Sequence, residues 1–367
     1  MRSLLRKRPQ SAAPEPPKEL PSLRARWLAP AEGGGTRRDQ ALARLREAGP
    51  EAPYPPVTDL RGINLIGEDL RGLNLAGCGL MGADLSDADL TGANLSRADL
   101  RHASLYRAKL EGCEFLGASL RGANLSECRA ERASFGHADL TGASLFHARL
   151  RKATFGSACL VDADLRAADL EGARIREADL TGAHLTRARL KGADLGKSRV
   201  DGADFQNADL REARLRGLGG FKKASWIGTN IQHVDFTGAY LLRRHILDEN
   251  YLFEFRTQSR YTRFLYFLWW ITSNCGRNLT PWFLWNAALG IAFGLVYSVV
   301  DVDFGPYRTA LSPFYYSFVT LTTLGYGDVV PVSGAAQVAA TVEVLLGYLG
   351  LGGLLSILAN KMARRAD

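Results

Sequence analysis

The sequence predicts a mixed fold class, in which a β-solenoid is followed by a small α-helical domain that crosses a membrane twice. Three observations lead to this prediction. A five-residue period runs through residues 57–241. Two long apolar segments follow at 281–300 and 335–360. Between them, residues 313–327 begin with a proline, end in a glycine-containing sequence and are too short to cross a bilayer.

Composition and charge limit the classes of protein that fit. With 46% hydrophobic residues in a chain of 367, disorder throughout is excluded. The five cysteines include no C-x-x-C pair, which argues against a zinc or redox site and fits a reducing compartment. The net charge of +8 is not a basic face on one domain, because residues 57–241 carry 25 basic and 24 acidic side chains. We therefore expect no nucleic-acid partner.

Residues 1–56 are expected to form a mostly disordered, basic and proline-rich region. Their prolines and a run of three glycines deny the segment a packed core. One helix is predicted at Asp39–Ala48, before Gly49 and Pro50. The segment lacks the apolar stretch and cleavage site of a signal peptide. A solvated leader is the favoured interpretation, and contact with anionic lipid is the alternative.

The repeat in residues 57–241 places a large apolar residue at every fifth position. Leu, Phe, Ile or Val occupies this position from Leu60 to Leu215, with Ala130 as the one exception. A small residue, usually alanine, lies two positions earlier, and the phase slips by one residue at 216–220. A period of five is neither that of a strand nor that of a helix. We therefore predict a four-sided coil with one unit on each side, whose large and small apolar residues both point inward.

The repeated unit Ala-(Asp/Asn)-Leu-x-Gly, as in Ala83-Asp84-Leu85 and again at 93–95, resembles the pentapeptide-repeat family. The resemblance implies a right-handed quadrilateral β-solenoid with four units per coil. At the strand spacing of roughly 4.8 Å, about nine coils would form a rod roughly 40–45 Å long. Solenoids of this family often pair end to end, so dimerisation of this domain is a further expectation. Some members are acidic mimics of DNA, and the balanced charge here argues against that role.

Residues 242–279 are predicted to be a capping and interfacial linker. The open ends of a solenoid expose unpaired backbone groups that could pair with other chains. Segments 39–56 and 242–256 are therefore candidate caps. The apolar stretch 264–271 is flanked by arginines and is too short to span a bilayer. Aromatic residues beside arginines are typical of a helix that lies in the membrane interface. The alternative is a helix buried against the C-terminal end of the solenoid.

The two apolar segments are predicted to be transmembrane helices. Residues 281–300 contain no charged side chain, and a helix of this length matches the roughly 30 Å of a bilayer core. The second segment, 335–360, is interrupted by Glu343. Basic residues lie before the first span and after the second, whereas the loop between them is acidic. The positive-inside rule therefore predicts a multi-pass protein of the cell inner (plasma) membrane, with both termini and the solenoid in the cytoplasm.

The loop between the spans carries the motif that points to a chemical role. Pro313 begins a predicted helix, 313–323, that is too short to cross a bilayer. The chain then continues through a sequence in which two glycines alternate with larger residues. Its residues are Thr323, Leu324, Gly325, Tyr326, Gly327 and Asp328.

This segment resembles the T-x-G-Y-G-D signature of potassium-channel pores, and residues 280–362 resemble the two-transmembrane bacterial channels. We therefore assign residues 280–367 to a pore domain. The resemblance implies that 313–323 is a pore helix and that Thr323–Gly327 is a selectivity filter, the ion-binding site. One such loop per chain cannot surround an ion, so a homotetramer is implied.

The residue types suit this role. Backbone carbonyls can replace the water shell of a K⁺ ion, and the Thr323 hydroxyl can add an innermost ring of oxygens. Aiming consecutive carbonyls at one axis requires conformations that L-residues disfavour, and Gly325 and Gly327 accept them because they lack Cβ. Leu324 replaces the more frequent valine, and its side chain is expected to face away from the ion.

Side chains beside the filter are predicted to support it. They are Thr322, Asp328, Tyr315 and Tyr316. Tyr326 is expected to brace against one of these two tyrosines. Val319 stands where some channels of this class carry a glutamate that pairs with the filter aspartate. We therefore expect Tyr315 to donate a hydrogen bond to Asp328 instead.

Three further residues of the second span are candidates for a role. Gly347 matches the position of the gating hinge in the resembling family, and Gly350 is a further bend site. The alternative is that these glycines permit close helix packing. Glu343 is predicted to contact the pore helix or a neighbouring subunit and not lipid, because ionisable groups within spans usually face protein.

These features predict a tetrameric potassium-selective ion channel, not an enzyme, with a cytoplasmic solenoid that serves regulation or assembly. The expected partners are membrane lipid, copies of the same chain and an unidentified regulatory ligand or protein. K⁺ is the permeant ion, and no cofactor or other metal is expected. The alternatives are a non-selective cation channel and a membrane-tethered solenoid scaffold whose pore does not conduct.

Overall fold

The computed structural model divides the chain into two compact units, Met1–Tyr251 and Leu252–Asp367. The residues it describes are 17–31, 34–49, 55, 57–275, 278–306 and 308–366, with side chains as far as residue 359. The first unit contains the solenoid, and the second contains the helices of the predicted pore domain. The predictions made for residues 1–16 and 50–54 lie outside the described residues.

Residues 59–235 form a coil held together by short parallel bridges. As far as the bridge between Arg199 and Gly219, each bridge joins a residue to the one 20 positions later, as between Asp84 and Ser104. Four five-residue units therefore complete one turn of the coil, as the sequence period predicts. The separation becomes 21 between Asp204 and Ser225, because the extra residue at the predicted phase slip is accommodated there.

The interior of the coil is a ladder of repeated apolar contacts. Both the large and the small residue of each unit are buried, as shown by Leu85 and Ala88, which are 0% exposed. In one column the rings of Phe115, Phe135 and Phe155 stack nearly parallel, with centroids 4.8 and 4.9 Å apart. This distance equals the spacing of hydrogen-bonded strands, so successive coils are in direct contact through their side chains.

The polar positions of the repeat serve the turns between the sides of the coil. Asp84 Oδ1 accepts a hydrogen bond from the backbone N–H of Ser86 at 3.1 Å, and Asn94 does the same for Ser96 at 3.0 Å. The second turn residue adopts a positive φ, which is 65° at Gly82. This geometry explains why glycine is frequent at that position of the unit.

Two helices and a 3₁₀ turn precede the coil and cover its first edge. They are α1 (Leu20–Ala25), the 3₁₀ turn Arg26–Leu28 and α2 (Arg37–Ala48). Leu42 and Leu45 of α2 are buried in the same apolar cluster as the first coil. The expectation of a mostly disordered region is therefore wrong for residues 20–31 and 34–48. The core that the segment lacks by itself is supplied by the solenoid.

Specific contacts hold this N-terminal cap in place. Trp27 is buried and its Nε1 donates to the carbonyl of Arg61 at 2.8 Å. The Arg26 guanidinium pairs with Asp59 at 2.8 Å. The predicted helix at Asp39–Ala48 begins two residues earlier than expected, at Arg37, because Thr36 and Asp39 form a reciprocal capping box.

The last edge of the coil is covered by the start of α3 (Tyr240–Gln258). Leu242 and Ile246 of this helix are buried in the core cluster of the solenoid. The Asn250 side chain accepts a hydrogen bond from the Gly228 N–H at 2.7 Å and donates one to the Trp226 carbonyl at 3.0 Å. These contacts satisfy backbone groups that an open edge would leave unpaired.

The second unit is mainly helical. Its elements are the end of α3, α4 (Arg260–Ser273), α5 (Leu279–Tyr297), β1 (Val302–Asp303), α6 (Ser312–Leu321), β2 (Val330–Pro331) and α7 (Gly334–Ala366). Two helices are long and apolar enough to cross a membrane, namely Leu279–Tyr297 and Gly334–Ala359. The predicted spans, 281–300 and 335–360, overlap these helices, and the predicted short helix of 313–323 corresponds to α6.

Candidate functional site

The short helix α6 packs between the two long helices. Its phenylalanines contact glycines of α5 so closely that no side chain would fit. A Cβ atom on Gly290 would lie 2.9 Å from the ring of Phe318, and one on Gly294 would lie 2.4 Å from the ring of Phe314. The phenylalanine rings of α6 therefore pack directly against the backbone of α5 at these two glycines.

The loop that leaves α6 is tied to the last turn of that helix. The N–H of Thr323 donates to the Thr320 carbonyl at 3.0 Å, and the N–H of Leu324 donates to the Val319 carbonyl at 3.0 Å. The Thr322 hydroxyl donates to the Phe318 carbonyl at 2.7 Å. Because of these bonds, the position of α6 determines where the loop begins.

The backbone of residues 323–327 alternates in conformation. Positive φ angles occur at every second residue, with 59° at Thr323, 49° at Gly325 and 78° at Gly327. Alternation of left-handed residues with residues of negative φ turns successive peptide planes, so that their carbonyls can align along one side of the chain. The predicted need for glycine at 325 and 327 is met by this geometry.

Thr323 was not expected to adopt a positive φ. A β-branched residue in this region is a rare outlier that costs of order 1–3 kcal/mol, and such strain clusters at functional sites. The sequence carries no local signal for it, since threonine disfavours the conformation. The hydrogen bonds that tie the loop to α6 impose it.

The predicted supporting tyrosines have separate contacts. The Tyr315 hydroxyl donates to Asp328 Oδ2 at 3.0 Å, which is the hydrogen bond expected from the sequence. Tyr316 packs edge-on against Tyr297 of α5, with ring centroids 4.7 Å apart. Tyr326 is 67% exposed, and among the described residues of this single chain it makes no ring contact with either tyrosine. Its bracing role stays a prediction for an assembly.

A two-residue antiparallel pairing fixes the far side of the loop. Val302 pairs with Pro331 and Asp303 with Val330, which joins the chain leaving α5 to the chain entering α7. Sequence reasoning missed these strands, because two residues are too few to display an alternating pattern.

The glycines of α7 lie at close helix contacts. A Cβ atom on Gly347 would lie 2.2 Å from the Leu321 carbonyl oxygen at the end of α6. One on Gly350 would lie 2.7 Å from Asn286 Oδ1, and the Trp282 indole donates to the Gly350 carbonyl at 3.0 Å. The helix continues without interruption through both positions. The packing alternative therefore describes the observed contacts, and the hinge role of Gly347 and Gly350 stays a prediction.

Glu343 is completely buried and contacts the short helix, as predicted. One carboxyl oxygen lies within hydrogen-bond distance of Ser317 Oγ in α6, and the other accepts a hydrogen bond from the Tyr297 hydroxyl at 2.7 Å. Sequence reasoning did not identify Ser317 or Tyr297. No local signal marks either residue, since their partners lie 26 and 46 positions away in the chain.

Comparison with known families agrees with this arrangement. Residues 286–364 match the family model of an ion-channel domain. Residues 78–117, 118–156 and 158–196 match the pentapeptide-repeat model. The chain therefore joins pentapeptide repeats to a two-transmembrane ion-channel domain, and its two apolar helices belong to a membrane protein.

One similar curated protein is named as a potassium channel. Two pore potassium channel b of Oryza sativa subsp. japonica is 40% identical over 58 residues, which are 16% of this chain and 17% of that protein. The present chain thus spans about a sixth of the length of this relative.

Solved structures similar to this chain include pentapeptide-repeat proteins. One, from the thylakoid lumen of Arabidopsis thaliana, is 36% identical and covers 26% of this chain and 66% of its own, with a TM-score of 0.25. HetL of Nostoc sp. strain PCC 7120, which is involved in regulating heterocyst differentiation, is 28% identical and covers 54% of this chain and 94% of its own, with a TM-score of 0.24.

Proposed function

We propose that the chain forms a homotetrameric potassium-selective channel, in which Thr323–Gly327 of four copies surround the permeant ion. The observation that carries this proposal is the alternating backbone of residues 323–327, directly after a short buried helix between two apolar helices. A row of carbonyls along one side of each loop supplies the oxygens that a dehydrated K⁺ ion requires. The negative C-terminal end of α6 favours a cation next to the loop.

The exposure of the loop supports assembly from several copies. In a single chain Leu324 is 60% exposed and Tyr326 is 67% exposed, although the start of their loop is hydrogen-bonded to α6. One loop supplies ligands from one side of an ion only. Closure by four-fold symmetry completes the coordination shell and provides neighbours for Tyr326.

The membrane topology is part of the proposal. The basic residues outside the two spans support a topology in which both termini and the solenoid lie in the cytoplasm and the channel lies in the inner membrane. Helix α4 exposes Tyr261, Phe264 and Phe267 along one side, next to Arg260 and Arg263. Such a helix suits the membrane interface, with lipid as its partner.

The solenoid is proposed to regulate or assemble the channel. We include a right-handed sense of the coil and a pairing of solenoids between subunits in this proposal. Both edges of the coil are covered by helices of the same chain, so any end-to-end pairing uses the outer faces of these caps. The regulatory ligand or protein is unidentified.

Flux measurements on reconstituted protein test the proposed function. In liposomes with opposed K⁺ and Na⁺ gradients, we expect K⁺ flux and a reversal potential close to that of K⁺. Gly325→Ala, which places a Cβ at a positive φ, is expected to abolish selective flux, whereas Gly334→Ala at the exposed start of α7 serves as the matched control.

Each other outcome identifies an alternative. Equal permeation of Na⁺ and K⁺ would establish the non-selective cation channel. A correctly assembled tetramer that conducts neither ion under any applied voltage or ligand would favour the tethered scaffold. The size of the detergent-solubilised particle distinguishes this last outcome from failed assembly.

A further inference from the structure

Glu343 has an unusual set of neighbours for an acidic side chain. It is 0% exposed within a single chain, in a helix whose residues 334–359 include no other charged side chain. Ser317 Oγ and the Tyr297 hydroxyl lie on its two carboxyl oxygens. The group therefore joins α7 to both α6 and α5, and its protonation state determines which of these contacts are attractive.

The number of available protons points to a neutral acid. Ser317 Oγ lies within hydrogen-bond distance of two oxygens, the Glu343 carboxyl and the Gly290 carbonyl, the latter at 2.8 Å. A hydroxyl has only one proton to donate. If Glu343 were a carboxylate, one of these two close oxygen pairs would contain no proton and would be repulsive. If Glu343 carries the proton, it donates to Ser317, and Ser317 donates to Gly290.

Among the side chains that the structure describes, no basic group pairs with Glu343 to stabilise a carboxylate. Between residues 278 and 359 the sequence contains a single basic residue, Arg308, and its guanidinium lies over the ring of Phe304. The groups that face Glu343 from the neighbouring helices are hydroxyls, those of Tyr297 on α5 and Ser317 on α6, with the Tyr316 ring packed on Tyr297. Burial of a carboxylate among neutral groups is strongly unfavourable, so the acid retains its proton.

The protonated group lies where it can position the filter loop. Ser317 is in the middle of α6, and the loop that starts at Thr323 is hydrogen-bonded to the last turn of that helix. The chain of bonds from Glu343 through Ser317 to Gly290 connects all three helices. Any shift of α6 between its neighbours therefore displaces residues 323–327.

We propose that Glu343 is a neutral carboxylic acid that acts as a positioning residue, fixing α6 between α5 and α7 and thereby the loop 323–327. The neutral form of Glu343 does not depend on the proposed channel function. The role of Glu343 in positioning an ion-binding loop deepens that function and rests on it. The proton is structural, and its retention makes the geometry of the loop insensitive to pH across the neutral range.

Infrared spectroscopy of the full-length protein in lipid nanodiscs tests the protonation state without requiring conduction. The carbonyl stretch of a protonated carboxylic acid is separated from the bands of carboxylates. We expect this band in the wild-type protein at pH 7 and pH 9 and its loss in Glu343→Gln. Glu254→Gln, which changes an exposed glutamate of α3, is the control and is expected to retain the band. Identical spectra for wild type and Glu343→Gln at pH 7 would overturn the proposal.

Substitutions separate a neutral acid from a carboxylate in a second way. Glutamine reproduces the protonated acid, because its amide donates to Ser317 and its carbonyl accepts from Tyr297. We expect K⁺ flux of Glu343→Gln within about twofold of wild type, and a loss of about tenfold or more in Glu343→Ala, where buried hydroxyls lose their partner. Equal losses in both variants would refute the positioning role of the neutral form. A protein that conducts no ion in any form refutes the proposed function while the spectrum still decides the protonation state.

Discussion

The Tyr315 hydroxyl donates a hydrogen bond to Asp328 Oδ2 over 3.0 Å, which links the start of α6 to the residue that follows the loop 323–327. The two residues are 13 positions apart, so the bond closes the helix and the loop into one unit. Val319, which lies between them in the chain, is apolar and buried. The tyrosine is therefore the partner of Asp328 in this sequence.

Removal of this hydrogen bond is expected to loosen the exit of the filter. Tyr315→Phe deletes the hydroxyl and leaves the ring, so the packing of α6 is retained. A hydrogen bond to a charged group is stronger than one between neutral groups, and the exposure of Tyr315 to solvent weakens this one. We expect inactivation during sustained opening to become about tenfold faster, measured as current decay in bilayer recordings. Tyr261→Phe on exposed α4 is the control. Unchanged inactivation in Tyr315→Phe would show that the hydrogen bond to Asp328 does not stabilise the loop.

The close contact at Gly347 predicts a defect in packing. A Cβ atom there would lie 2.2 Å from the Leu321 carbonyl, so Gly347→Ala must separate α7 from the end of α6. Overpacking of this kind costs about 1–3 kcal/mol, and we expect a lower thermal stability of the assembled protein as well as reduced flux. Gly352→Ala is the matched control, because its Cβ meets no atom within 4 Å and alanine favours a helix.

The two glycine variants also distinguish packing from hinge motion. A hinge role predicts that Gly347→Ala changes open probability while leaving the stability of the closed protein unchanged. Close packing predicts that stability falls in both closed and open conditions. A Gly347→Ala protein with wild-type melting temperature would contradict the packing interpretation.

The features that could be predicted from sequence are those specified by the identity and spacing of a few neighbouring residues. The five-residue period specified the four-sided coil, because every unit contributes its own buried leucine and alanine, such as Leu85 and Ala88. The glycines at 325 and 327 likewise indicated positive φ angles, because a residue without Cβ adopts them at little steric cost.

The features missed from sequence depend on partners distant in the chain. The N-terminal segment has the composition of a disordered tail, but Trp27 and Leu45 are buried in the apolar cluster that includes the first coil. Thr323 adopts a positive φ because α6 holds the loop and not because threonine favours it. Glu343 was recognisable as a buried group, but its partners Ser317 and Tyr297 carry no pattern of their own.

The C-terminal cap of the solenoid is expected to depend on Asn250. Its amide pairs with the Gly228 N–H and the Trp226 carbonyl, so Asn250→Ala leaves both backbone groups without this partner. We expect the free energy of opening the last coil to fall by about 1–3 kcal/mol. Hydrogen exchange of peptides that contain residues 226–238 should then be about tenfold to a hundredfold faster. Gln258→Ala at the end of α3 is the control, and equal exchange in the two variants would contradict the capping role.

The N-terminal cap is expected to weaken in acid. Hydrogen bonds from Arg26 and Arg61 hold the pKa of Asp59 well below its usual range. A carboxyl group with a lowered pKa in the folded state contributes stability above its unfolded pKa of about 3.9, and this contribution is lost as the pH falls below that value. Asp59→Asn should therefore speed hydrogen exchange in residues 20–28 at pH 7 by about two- to fivefold. The difference from wild type should shrink toward pH 2, and an effect that is independent of pH would exclude the ionic contribution.

The cysteines of the solenoid provide a test of its closed core. Burial raises the pKa of Cys78 and of Cys113 to about 12, and burial likewise raises the pKa of Cys128. At pH 8 the thiolate fraction is then reduced about a thousandfold, in addition to the steric protection of a buried side chain. Maleimide labelling followed by mass spectrometry should modify the partly exposed Cys159 first and leave the three buried thiols unmodified until denaturant is added.

The order of labelling also reports on the N-terminal cap. Cys78 lies in the first turn of the coil, where its thiol approaches the Val57 carbonyl at 3.5 Å, whereas Cys113 lies farther along the coil against the Leu90 carbonyl. If the cap protects the first edge, Asp59→Asn should accelerate labelling of Cys78 and leave that of Cys113 unchanged. A coil whose turns contact only their neighbours is expected to fray from its edges, so Cys78 should respond alone. Faster labelling of both thiols would instead mean that the solenoid opens as one cooperative unit.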